Sequence, residues 1–135
     1  MDPHINTHTI DDVSEMLGDI VDDIPADFFN ELNGGVVLLE ECKFHPSGHG
    51  DLVILGEYHH NRAMGRYIYI YYGSFMRLYR HLPKEVLKER LRDTLIHEFT
   101  HHLESLAGER NLELHDQVNM DRYKRAREIK RRRRG

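Results

Sequence analysis

Apolar residues first fall into helical spacing at Ile10, Val13, Met16, Leu17, Ile20, Val21 and Ile24. The spacing predicts an amphipathic helix over residues 10–23. Thr9 stands ahead of it as N-cap, with Asp12 three residues on in the manner of a capping box. Asp11 and Asp12 also suit the positive end of the helix dipole. Pro25 ends this helix and can open the next, because a first-turn proline loses no hydrogen bond. A short helix over 25–33 would turn Phe28, Phe29 and Leu32 inward before Gly34-Gly35 stops it. The pattern then changes to short β-branched and apolar runs, which predict strands over 36–41, 52–58 and 67–72. A loop with Pro46, Gly48 and Gly50 separates the first two runs, and a polar turn over 59–66 separates the last two. Alternation in the third strand puts Tyr67, Tyr69 and Tyr71 on one face and Ile68, Ile70 and Tyr72 on the other. Gly73 closes that strand, and residues 74–82 have room for one or two helical turns.

Pro83 opens the longest element, a helix predicted to run to about Ala107 with Gly108 just past its end. With His97 set at 0° and about 100° per residue, His101 falls at about 40°. Leu91, Leu95, Phe99, Leu103 and Leu106 fall between about 120° and 240°. The apolar arc is therefore opposite the two histidines. Such a helix packs its back on a sheet and lines a cleft with its front. His102, at about 140°, falls inside the apolar arc and is expected to pack there with a buried hydrogen bond. Leu112 to Tyr123 could form a last helix.

These elements describe one α+β domain over 9–123. It is a short three- to four-stranded sheet packed against the long helix, with further helices at its flanks. The length of 135 residues suits one core rather than two. Residues 1–8 are polar and expected to be disordered. Residues 121–135 hold nine Lys/Arg against two acids, a net of +7, while residues 1–120 hold ten against 21, a net of −11. The tail over 124–135 is too basic to fold alone. It can bind nucleic acid or an acidic partner by charge only, since it lacks interleaved aromatics. No basic region followed by an apolar run opens the chain, and no run is long enough to span a bilayer, so a cytoplasmic location is expected. Cys42 is the only cysteine, which excludes an intrachain disulfide and disfavours a thiolate metal site.

The remaining chemistry lies in His97-Glu98-Phe99-Thr100-His101, an H-E-x-x-H motif in the middle of the long helix. Residues four apart share a helix face, so His97 and His101 can offer two imidazole nitrogens to one ion. That donor set suits Zn²⁺, which keeps a position for water when catalytic. Zn²⁺ lowers the pKa of such a water to about 7. Glu98 would accept the water's proton and pass it to a leaving amine. The expected activity is hydrolysis of peptide or unfolded-protein substrates in an open cleft. A third ligand is needed. Gly108 comes seven residues after His101, so the chain must double back toward the ion. Asp116 is the leading candidate, with Glu113 and His115 as alternatives. His45 and His49 sit in a Gly/Pro loop without a metal-site context. His59-His60 could border the cleft, and the Tyr67–Tyr71 strand, if it is an edge, could take an extended peptide by strand addition.

The chain resembles the minimal zincin-like metallopeptidases, a family of small single-domain bacterial proteins. The matching pieces are the first helix ending in Ile24-Pro25, the strand from Val36 to Glu41, Leu55-Gly56-Glu57-Tyr58, and Leu91 through His102. They occur in the family's order, and the His101-His102 pair is also a family habit. The resemblance implies a compact zincin fold, Zn²⁺ held by His97 and His101, and Glu98 as the base. Many relatives carry a glycine two residues after the His-His pair and an acidic ligand three beyond it. Here those positions are Glu104 and Ala107, so the third ligand does not carry over. Zinc measured in Asp116→Ala, Glu113→Ala and His115→Ala decides among the three. The variant at the true ligand loses tightly held zinc, and one that keeps a full equivalent excludes its residue.

Overall fold

The computed structural model describes residues 8–47, 50, 52–110 and 124. The predicted last helix, Asp116, Glu113, His115, His49 and all of the basic tail except Lys124 lie outside them. Helix α1 spans Ile10–Asp23. Its N-cap carries the full capping box: the Asp12 amide donates to Thr9 Oγ1 at 3.1 Å and the Thr9 amide to Asp12 Oδ2 at 2.9 Å. Just before it, His8 bonds the Leu82 carbonyl through its ring at 2.8 Å. The predicted second helix tightens to a 3-10 turn at Ala26–Phe29, and only Phe28 within it is fully buried. Four residues are enough to turn that ring into the core.

Strands β1 (Gly35–Leu39), β4 (Gly56–Asn61) and β5 (Gly65–Tyr71) form one sheet in the order β1-β5-β4. β1 runs parallel to β5 with Gly35 opposite Tyr67, and β4 runs antiparallel with Gly56 opposite Ile70. Strands β2 (Lys43–Phe44) and β3 (Val53–Ile54) pair separately. The expected strand over 52–58 is therefore broken at Leu55. Val53 and Ile54 pair with β2, while the residues from Gly56 onward pair with β5. The Leu55 carbonyl still accepts from the Tyr71 amide at 3.0 Å, so the chain changes partners without leaving the sheet. The expected polar turn over 59–66 shrinks to three residues because β4 continues to Asn61 and β5 starts at Gly65. The aromatic strand is central, not an edge. Its backbone is paired on both sides, and the two edges of the described sheet are β1 and β4.

The faces of β5 follow the alternation. Ile68 and Ile70 are fully buried on the core side, and Tyr67, Tyr69 and Tyr71 stack in sequence on the other. Tyr72 leaves the strand and opens helix α2 (Tyr72–Tyr79). Helix α3 covers Lys84–Arg110, so it runs through Gly108 instead of stopping before it. Leu91, Leu95, Phe99, Leu103 and Leu106 are buried along its back, the first four in one core with α1, Phe28 and the isoleucines of β5. Phe99 lies between Phe28 and Phe29, with ring centroids 6.3 and 5.0 Å away.

Two glycines set close approaches. At Gly56 an added Cβ would lie 3.0 Å from Thr94 Cγ2, which is how near β4 comes to α3. At Gly73, in the first turn of α2, it would lie 2.5 Å from the Cys42 backbone nitrogen. Helix propensity alone makes Gly73→Ala stabilising by about 1 kcal/mol. The clash is with backbone and cannot relax through a side-chain rotamer, so overpacking by about 1–3 kcal/mol outweighs it. Urea unfolding should show Gly73→Ala less stable than the parent.

Candidate metal centre

Helix α3 carries His97 and His101 on its exposed front, one turn apart. Their Nε2 atoms lie 3.1 Å from each other, with ring centroids at 4.7 Å and planes at 89°. Two imidazole nitrogens aimed at one point either share a proton or accept a common cation. Tetrahedral Zn²⁺ with bonds of about 2.0–2.1 Å places two ligand nitrogens about 3.3 Å apart. The pair thus fits zinc in spacing and in donor type. Among the described residues no third His, Cys, Asp or Glu completes a metal-binding group. The remaining donor must come from elsewhere, and Asp116, Glu113 and His115 lie outside those residues.

Glu98 differs from its neighbours. It is about 100° round the helix from His97, turned toward β4, and only 5% exposed. Burial pushes its carboxyl above the usual glutamate range; His97 and His101 pull the other way, Glu57 adds to the rise and His59 opposes it. β4 explains these last influences. Gly56 packs on Thr94, and the Tyr58 hydroxyl bonds His102 Nδ1 at 2.9 Å. Thr94 and His102 bracket Glu98 along α3, so the strand passes alongside the carboxyl.

The outer face of β4 holds a polar cluster that sequence reasoning singled out only in part. Glu57 Oε1 accepts from Lys43 Nζ at 2.7 Å and from the Tyr71 hydroxyl, with His59 Nε2 at 3.3 Å. Burial opposes the Glu57 charge, but Lys43, Tyr71 and His59 hold its carboxyl below the usual range. Burial and the Glu57 carboxylate push the Tyr71 phenol upward. His59 stacks on Tyr67 with centroids 5.0 Å apart and planes at 20°. His59 is thus held on the outer face of β4 by Glu57 and Tyr67, whereas His60 is exposed in the continuation of β4. His45 is engaged locally, with its Nδ1 2.9 Å from Ser47 Oγ. The Leu55-Gly56-Glu57-Tyr58 segment was the available signal for the cluster, but Lys43 lay in an expected loop and nothing linked it to Glu57.

His102 is fully buried, as its place in the apolar arc implied. Its second nitrogen, Nε2, bonds the Asn30 carbonyl at 2.9 Å. The Asn30 carbonyl can only accept, so Nε2 carries the hydrogen and Nδ1 receives the Tyr58 O–H.

A helix-borne pair of histidines with a buried glutamate between them, behind a small antiparallel sheet edge, is the arrangement of a zincin. Sequence comparison agrees: the profile of the zincin-like metallopeptidases matches residues 37–119, and the chain belongs to that family. A conserved hypothetical protein from T. thermophilus has a similar solved structure. It is 33% identical, with a TM-score of 0.64, over 75% of this chain and 99% of that one. No curated protein matches.

The raised proton affinity of Glu98 has a consequence for the metal-free protein. The folded form binds that proton more tightly than the unfolded chain, so the group favours folding below the ordinary glutamate value. That contribution is lost as pH rises through the elevated folded value. Glu98→Gln has no charge to bury. It should melt above the parent at pH 7, and the gap should close as pH falls below about 4, near the reference value for glutamate. Thermal melts across pH in the presence of chelator measure this. Equal melting temperatures at pH 7 would contradict the buried-charge account.

Proposed function

We propose that this protein is a zinc-dependent peptidase acting on extended or unfolded peptide in the cytoplasm. The observation that carries the reading is the convergence of His97 and His101 Nε2 at 3.1 Å with a buried carboxyl on the adjoining residue. His97 and His101 would hold the ion, with Asp116 as the preferred third ligand and Glu113 or His115 in its place otherwise. Zn²⁺ bound there supplies Lewis acidity to a water and to the scissile carbonyl.

The protein's own groups do the rest. Glu98 takes a proton from the water at a carboxylate oxygen and returns it to the leaving nitrogen. Burial raises the proton affinity of Glu98 in the metal-free protein, and a dication bound beside it would oppose that rise. The position of Glu98 toward β4 shields it from bulk water. β4 is one of the two edge strands of the described sheet and the one beside Glu98, so backbone groups on its outer side would be available to pair with an extended chain. Such pairing would lay a peptide along the strand that passes Glu98. Within the described residues no helix is long and apolar enough to cross a membrane.

A mixed-peptide assay tests the reading. Turnover should be abolished by a chelator and restored by zinc. Glu98→Gln should bind zinc as the parent does and lose about 10²–10⁴-fold in turnover, the usual span for removal of an acid–base group. Full activity in Glu98→Gln would remove Glu98 from this role. Absence of turnover, with salt-sensitive nucleic-acid binding that disappears on deleting 124–135, would favour a binding module instead.

A further inference from the structure

The back of α3 is held mainly by apolar contact, which is strong but non-directional. A helix seated only in this way can roll about its own axis. An imidazole nitrogen about 6 Å from the axis moves by about 2 Å in a 20° roll. The roll carries His97, Glu98 and His101 together and leaves their mutual spacing alone. It shifts all three against β4 and against any donor supplied from outside the helix. Metal sites tolerate errors of about 0.2 Å in ligand distance. Something directional must therefore set the angle.

His102 is placed to do so. It lies one turn after Glu98 on the same helix face and is fully buried. Its two nitrogens are fixed to two other elements: Nδ1 to the Tyr58 hydroxyl on β4, and Nε2 to the Asn30 carbonyl after the 3-10 turn, each at 2.9 Å. Bonds on opposite edges of one ring oppose rotation in both senses. Arg66 on β5 is buried, and Glu109 helps to hold its charge against that burial. The same guanidinium bonds Ser105 Oγ at 3.3 Å and Glu109 further along α3. Donors thus run in one direction, from Tyr58 to His102 to the Asn30 carbonyl.

We propose that His102 is a positioning residue: clamped between Tyr58 and Asn30, it locks the roll of α3 and so aims His97, Glu98 and His101 at one place beside β4. The proposal rests on the reading of His97 and His101 as the metal-holding pair. It goes further in giving the second histidine of the His-His pair a task distinct from packing.

Tyr58→Phe removes one hydroxyl and keeps the ring. Two quantities are measured. The first is zinc affinity by competition with a chromophoric chelator, expected to weaken about tenfold, as for other groups that orient metal ligands. The second is taken without metal: residual dipolar couplings of backbone N–H groups along α3, whose periodic phase reports the roll relative to β4. That phase should shift in Tyr58→Phe. A lowered melting temperature with phase and zinc affinity unchanged would overturn the proposal and leave His102 a packing residue. If the parent binds no zinc, the ligand reading fails, and the metal-free phase still decides the lock. Should Tyr58→Phe not fold, His102→Gln keeps a donor toward Asn30 while losing the Nδ1 acceptor, and should shift the phase in the same way. Where both variants fold, the double variant should lose no more affinity than either single one, because both break the same bond. Additive losses would overturn the proposal.

Discussion

Everything in this fold answers to one demand on α3: it must bury a continuous apolar back while keeping two imidazoles in water and a carboxyl out of it. The buried residues from Leu87 to Leu103 meet the first requirement by packing in one core with α1, Phe28 and the isoleucine face of β5. His97 and His101 meet the second from the opposite side. Glu98 falls between the two faces, and only a neighbour at the helix flank can shelter it. β4 is that neighbour. Its approach is allowed by a glycine at position 56 and fastened by Tyr58 on His102. Sheet order, edge strand and site geometry are thus consequences of how one helix divides its surface.

The outer sheet face has a different logic. Tyr67, Tyr69 and Tyr71 form a ladder of rings with His59 stacked at one end and the Lys43–Glu57 pair at the other. Its charges are paired internally, with Lys43 and the Tyr71 hydroxyl both on Glu57. Lys43 reaches this cluster from the small β2–β3 ribbon, which its side chain ties to the sheet at Glu57 and its amide ties to α2 at the Ser74 hydroxyl.

Much of this could be read along the chain. The capping box at Thr9 and Asp12, the faces of β5, the apolar arc of α3 and the buried His102 are all properties of local periodicity, and they appear where periodicity placed them. The misreadings share a cause. The run over 52–58 was one apolar stretch, yet it serves two sheets, and no local pattern shows a change of partner. Gly108 was expected to stop α3, but glycine only weakens a helix, and Arg66 holds Ser105 and Glu109 on either side of it. Tyr67–Tyr71 could have been an edge strand from its composition. Pairing on both sides made it central.

By itself the sequence determined which residues share a face: His97 with His101, Glu98 one step round toward the flank, and the leucines behind. Those relations follow from 3.6 residues per turn and need no partner. Tertiary structure alone decided what each face meets. Glu98 is buried because β4 lies beside it, Glu57 has its carboxyl held below the usual range because Lys43 and Tyr71 converge on one oxygen, and His102 is held because Tyr58 and Asn30 arrive from two sides. These contacts join residues 14 to 72 positions apart. Proton affinity and orientation depend on the nearest charges and dipoles, and in this protein those come from distant parts of the chain.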